Sequence, residues 1–226
     1  MSTSSLLHQW VQIAFLAQWI IMDYNIKINI SNCKGEGNIM LTLEKSKQLI
    51  ASTTTQPHLI MHATAVMAAM GGMAAHFGED VEHWQAVGYL HDYDYEQYPD
   101  EHLKHTAEPL RAEGVSEEDI RAILSHAYGH CTDVEPLTPM EKSLYAVDEL
   151  TGIIQAASRM RPLGITDLEV SSFMKKFKDK KFAAKCDREL IKNGCALLGM
   201  EVKEVSEICI NAMRPFAQQL DIGPKE

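Results

Sequence analysis

The stretch GYLHDYDYEQYPDEHLKH, residues 88–105, sets an imidazole beside a carboxylate, His91-Asp92, directly after an apolar run. Alone the pair is weak, because a chain with 10 histidines produces such a dipeptide by chance. It has company. His62, His126 and Asp148 each lie on or beside the apolar face of a separate helical stretch, and His102 follows the pair closely. For any one of these the commoner role is a hydrogen-bonded core histidine or a capped carboxylate. As a set they call for a cation, since an ionised carboxylate against a core is costly without one. Imidazoles converging with two carboxylates suit a divalent transition metal, namely iron, manganese, zinc, cobalt or nickel, as one ion or two. Magnesium or calcium would favour oxygen ligands throughout.

The elements that must carry these side chains read as helices. Ile60, Ala63, Met67, Met70, Ala74 and Phe77 repeat at three and four residues, with His62, Val66, Ala69 and Met73 as a second apolar line, which predicts a central helix. Asp80 is a cap for the next one, on which Val81, Trp84, Gly88 and His91 share a face, so His91 points inward. Capping boxes are expected at Ser116-Glu117-Glu118-Asp119, at Thr138-Pro139-Met140-Glu141 and at Thr166-Asp167-Leu168-Glu169. Two further helices near 187–198 and 201–219 complete the chain. Neither period-two alternation nor an Asn-Gly or Asp-Gly hairpin signal occurs after Met40, so the expected class is all-α. The break at Arg161-Pro162-Leu163-Gly164 divides a helical domain, 40–160, from a C-terminal helical cap, 161–226.

The contexts LIMHATAV, AVGYLHDYDYE, IRAILSHAYG and EKSLYAVDELTG, taken in order from about Leu59 to Ile154, resemble the successive motifs of the HD-domain superfamily of metal-dependent phosphohydrolases. The resemblance implies an HD-domain helical bundle with a C-terminal helical extension, its metal held by His62, His91, Asp92 and Asp148. Members with two metals add two histidines, and His102 and His126 stand where those are expected, with His105 as the fallback one turn after His102. Many members continue HD-x-G-K, whereas here Asp92-Tyr93-Asp94-Tyr95-Glu96 follows, so the phosphate-contacting lysine is absent. HDYDYE with DELTG is closer to a branch of small stand-alone bacterial HD proteins. An ion so held, with open positions, would acidify a coordinated water and polarise a phosphoryl oxygen. Asp92 would accept the proton, and Asp94 is the candidate for positioning water or protonating the leaving group. Solvated loop charge is the alternative for Asp94 and Glu96.

The expected activity is hydrolysis of a small phosphorylated metabolite, a nucleotide first. His126 followed by Gly129 and then MEKSLYAVDEL resembles dinucleoside polyphosphate hydrolases, which implies such substrates in particular. A di-iron oxygenase of the same fold and a non-catalytic, metal-stapled sensor are the alternatives. Composition excludes other classes: a net charge of −10 argues against gripping a nucleic-acid polymer. Five scattered cysteines without a CxxC suit reduced thiols in a cytoplasmic protein. Leu6 to Met22 is hydrophobic but broken by glutamines, so a stable membrane span is not expected, and an interfacial or partner-binding helix is the alternative. Lys34-Gly35-Glu36-Gly37 needs purine-rich codons able to spell a ribosome-binding site ahead of Met40, so residues 1–39 are read as an N-terminal extension of translated leader. The lysines at 175, 176, 178, 180, 181 and 185 are either a solvated face around Phe173, Phe177 and Phe182 or a device that draws phosphate. Arg159 and Arg161 carry the same two readings, and His130-Cys131 reads as loop.

Overall fold

The computed structural model describes residues 40–225, so the leader and interfacial-helix readings of the first 39 residues lie outside it. Among the described residues there are nine α-helices and no strand, and the fold is all-α as expected. They are α1 Leu43–Thr53, α2 Pro57–Phe77, α3 Val81–Leu90, α4 Ala107–Ala112, α5 Glu117–Ser125, α6 Pro139–Arg159, α7 Val170–Lys178, α8 Arg188–Leu198 and α9 Val202–Met213.

Helix α2 is the axis of the bundle. Ala65, Val66, Ala69, Met70, Met73 and Ala74 are wholly buried on it, and α3, α6 and α9 pack around them. By length and composition this helix is apolar enough to cross a bilayer, and its apolar surface is instead covered by its neighbours. Gly78 ends it in the left-handed conformation, at φ 73°, and Asp80 caps α3 by accepting from the His83 amide at 2.9 Å. The two helices therefore run antiparallel, and the start of α2 lies beside the end of α3. Gly88 sets how closely they approach: a Cβ there would stand 2.8 Å from Met70 Cγ and 3.2 Å from the Val66 carbonyl oxygen.

The capping box at Thr138 is complete, with Pro139 in the first turn and Glu141 closing the reciprocal bond. Ser116 accepts from the Asp119 amide at 3.1 Å and starts α5. The third box does not form. Gly164–Asp167 is a 3-10 turn, and α7 begins only at Val170, with Glu169 as its N-cap and no side-chain cap. Asp167 is engaged elsewhere, accepting from Arg161 Nε at 2.8 Å and Nη2 at 3.0 Å, and Leu168 is drawn into the core. The box would need the Glu169 carboxylate to reach back to the Thr166 amide, and that amide is taken by the Leu163 carbonyl at 3.2 Å within the 3-10 turn. The C-terminal helices close the bundle, α8 on α6 and α9 on α2.

One buried ion pair links α3 to α5. His83 Nε2 lies 2.6 Å from Oδ1 of Asp119, a residue 1% exposed, whose Oδ2 accepts from Ser116 Oγ at 2.8 Å. The hydrogen bond to Asp119 outweighs burial and holds the His83 pKa above its ordinary value. His83→Ala is expected to cost about 1–3 kcal/mol in urea denaturation, because the carboxylate stays buried without its partner. The difference from the parent protein should be full below about pH 6.5, the ordinary histidine value, and shrink as the pH rises through the raised one.

Candidate metal centre

Five elements deliver one cluster. His62 stands in the second turn of α2, His91 is the C-cap of α3 with Asp92 in the turn beyond, and His126 is the C-cap of α5. Asp148 lies midway along α6, and His102 follows the 3-10 turn Pro99–Glu101. Adjacent positions on a continuing helix diverge by about 100°. Here α3 stops at Leu90, and Tyr93 N and Tyr95 N bond back to the carbonyls of Leu90 and Asp92 in tight turns, so Asp92 reaches the same point as His91.

The separations are those of ligands around an ion. His62 Nε2 is 2.9 Å from Asp148 Oδ1, 3.2 Å from His91 Nε2 and 3.5 Å from Asp92 Oδ2. His91 Nε2 is 3.3 Å from Asp92 Oδ2 and 3.4 Å from Asp148 Oδ1. Donors about 2.1 Å from a common centre lie roughly 3.0 Å apart at right angles and roughly 3.4 Å apart at tetrahedral angles. The other oxygen of Asp92 faces a second group: Oδ1 is 3.3 Å from His102 Nε2 and 3.6 Å from His126 Nε2, which are 3.2 Å from each other. Three triads could hold a metal, His62-His91-Asp92, His91-His126-Asp148 and Asp92-His102-His126, and Asp92 belongs to two of them.

Hydrogen bonding at the far side of each ring explains why the near nitrogens converge. Nδ1 of His91 donates to the Gly88 carbonyl at 2.8 Å, and Nδ1 of His126 donates to the Ile123 carbonyl at 2.7 Å. Nδ1 of His102 lies 2.8 Å from Asp94 Oδ1. A carbonyl only accepts, so the proton sits on Nδ1 and the Nε2 lone pair points at the cluster. Two lone pairs 3.2 Å apart repel unless a proton or a metal ion lies between them. With protons alone, burial opposes the charge on His62, yet the Asp148 hydrogen bond holds its pKa above the ordinary value. Burial likewise opposes charge on His102, and the bonds to Asp92 and Asp94 outweigh it, lifting that residue to about 9. His126, buried and facing a charged His91, falls to about 4. Asp92 and Asp148 resist the effect of burial and stay below the usual carboxylate range beside these imidazoles. The donor set thus fits a divalent transition ion, which would displace the protons.

Asp94 does not take the place expected for it. It is 1% exposed and turned away from the cluster's open side, with Oδ1 accepting from His102 Nδ1 and the Leu103 amide and Oδ2 from the His105 amide. Three hydrogen bonds commit it to holding His102 and the turn around it, and burial keeps it out of the cavity lining. Glu96 is not free loop charge either: it accepts from the amides of Thr55 at 2.7 Å and Gln56 at 3.0 Å, capping α2, which lacks a side-chain cap of its own. His105 stays outside the cluster, with Nε2 3.0 Å from Glu101 and its ring stacked on Tyr98. Arg159 donates to Gln155 and the Leu220 carbonyl, and Arg161 pairs with Asp167, so both are structural.

The cluster lies at the floor of a cavity of about 620 Å³. Its walls include Leu59, Tyr95, Ala127, Glu149 and Leu190, to which the sequence assigned no role, and Lys185 from the basic run. His130 and Cys131, read as loop, are loop, and they too border the cavity. The basic run was visible in the sequence, but Lys185 sits in an irregular segment where no periodicity tells which lysine faces inward.

Residues 59–153 match the family model of the HD domain, so the chain carries a domain of the HD superfamily. That superfamily is one of metal-binding domains typical of metal-dependent hydrolases, and the His/Asp groups lie within the matched stretch. No curated protein and no solved structure gives a significant match.

Asp92→Asn should bind metal more than tenfold more weakly in both halves, since one carboxylate serves the two, and elemental analysis after dialysis reads this directly. His102→Ala and His126→Ala should lower the content only of a second ion, and His130→Ala should change nothing. Asp94→Asn is expected to weaken the second ion about 10- to 100-fold with the first intact, the mark of a residue that orients a ligand.

Proposed function

We propose that the protein is a metal-dependent phosphohydrolase acting on a small phosphorylated metabolite, a nucleotide in the first instance. The observation that carries this reading is the convergence of four Nε2 atoms and two carboxylates at the floor of an open cavity large enough for such a molecule. His62, His91, Asp92 and Asp148 would hold a first divalent ion, and His102 and His126 with the other oxygen of Asp92 would hold a second. Bound there, a divalent cation supplies a Lewis acid that polarises phosphoryl oxygen and makes water acidic near neutrality. Asp92 is the general base, the one carboxylate that both halves share. Asp94 acts through His102, fixing its ring, and takes no proton itself. Leu59, Ala127 and Leu190 provide apolar wall for the organic part of the substrate. The substrate's own negative charge needs local cations in a protein of net charge −10, and the ions provide most of them.

A di-iron oxygenase is the second reading, favoured by the bridging position of Asp92 between two histidine groups. Metal analysis of anaerobically purified protein, followed by a phosphate-release screen over nucleotides and sugar phosphates, separates the two. Metal-dependent phosphate release that Asp92→Asn abolishes is the expected result. Two irons per chain, oxygen consumption and no phosphate release with any divalent metal would replace hydrolysis with oxygenation.

A further inference from the structure

Four carboxylates border the cavity, Asp92, Asp148, Glu149 and Asp187, against a single lysine or arginine, Lys185. Apart from the metal ions and the imidazoles, that ammonium group is the cation on this wall that a phosphate ester can meet. Lys185 is exposed and has no ion pair among the described residues, so its charge is uncommitted. It lies beyond residue 153, outside the stretch matched by the HD domain, in the irregular segment between α7 and α8.

That segment is built by one side chain. Arg188, the first residue of α8, donates from Nε to the Phe177 carbonyl in the last turn of α7 at 2.8 Å and to four carbonyls of the loop that follows: Nη1 to Ala183 at 3.2 Å and Cys186 at 3.3 Å, and Nη2 to Asp179 at 3.2 Å and to Phe182. Its guanidinium also sits 5.8 Å from the centre of the Phe177 ring. Carbonyls that a helix would have satisfied are gathered around one cation, and the loop folds back on itself, with Ala183 at φ 44°. Arg188 is spent on this and cannot meet a ligand. At the loop's far end Asp187 Oδ1 caps α8 through the Glu189 amide at 2.8 Å. On the α6 side Gly152 lets Cys186 come close, since a Cβ there would lie 3.0 Å from Cys186 Sγ. Fixed at both ends, the loop presents Lys185 to the cavity.

The geometry points to Lys185 as the residue that binds the substrate's phosphate, with Arg188 as the positioning residue that holds it at the cavity wall. This rests on the phosphohydrolase reading and gives that site its anion contact, in a chain whose HD motif lacks the lysine of HD-x-G-K. A lysine ammonium is suited to the task as a point charge on a flexible stem, able to follow a phosphate without bidentate geometry.

The test is calorimetric titration of inorganic phosphate into the full chain loaded with Mn²⁺, for the parent protein, Lys185→Ala, Lys185→Arg and Arg188→Ala. Lys185→Ala is expected to weaken phosphate binding about tenfold, the scale of one charge-assisted hydrogen bond, with unchanged manganese content, and Lys185→Arg to recover most of it. Arg188→Ala should weaken phosphate binding to the same degree and also open residues 178–187 to limited proteolysis, which Lys185→Ala should not. Equal phosphate affinity in the parent and Lys185→Ala would overturn the assignment while leaving the proposed function standing. A manganese-loaded parent that binds no phosphate would overturn both. Loss of phosphate affinity in Arg188→Ala without added proteolysis would overturn the positioning role alone.

Discussion

Electrostatic frustration between unprotonated imidazole nitrogens is the constraint on which this molecule turns. The backbone carbonyls of Gly88 and Ile123 and the carboxylate of Asp94 claim the Nδ1 protons of His91, His126 and His102, and so commit the Nε2 atoms to face one another. Such an arrangement is uphill in a packed interior unless something positive joins it. Much of the surrounding architecture follows as the means of holding it: antiparallel α2 and α3 with Gly88 between them, α5 ending at His126, and α6 passing Asp148 across the gap. The fold is an all-α scaffold whose helix ends, more than its helix faces, carry the chemistry. His91 and His126 are both C-caps. In each case the residue that closes a helix gives its ring nitrogen the carbonyl three residues back.

That pattern explains what the sequence made legible. His62 lies on an apolar line of a long periodic helix and His91 closes another, so apolar spacing places them inward, while Asp148 falls on the border of its stripe. The capping signals at Asp80, Ser116 and Thr138 placed the starts of α3, α5 and α6 correctly. The HD resemblance grouped six residues whose donor atoms lie close together in the structure. Where the chain leaves regular structure, periodicity is silent. Asp94 was given to the reacting centre because it stands near His91-Asp92 in sequence, whereas three hydrogen bonds within the 94–105 turn settle its orientation. Glu96 caps a helix that begins about forty residues earlier, a relation no local pattern encodes.

The false capping box teaches the converse. Thr166-Asp167-Leu168-Glu169 has the right letters, but Thr166 lies inside a 3-10 turn with its amide bonded to the Leu163 carbonyl, and burial of Leu168 draws the chain out of helical geometry. A local preference worth about 1 kcal/mol yields to a buried leucine side chain worth about 1.5–3 kcal/mol. The wall from 179 to 187 is a similar case. Its shape comes from Arg188 collecting carbonyls, a long-side-chain effect that neither propensity nor hydropathy reports.

The Glu96 cap has a mechanical meaning. By tying the chain just after Asp92 to the amides at the start of the helix that bears His62, it closes a loop of fixed circumference that runs along α2, back along α3 and through the turn. Two ligands on separate helices thereby belong to one ring, in which a change of length anywhere is felt at both. Insertions and deletions between residues 56 and 96 are thus changes that this architecture absorbs poorly.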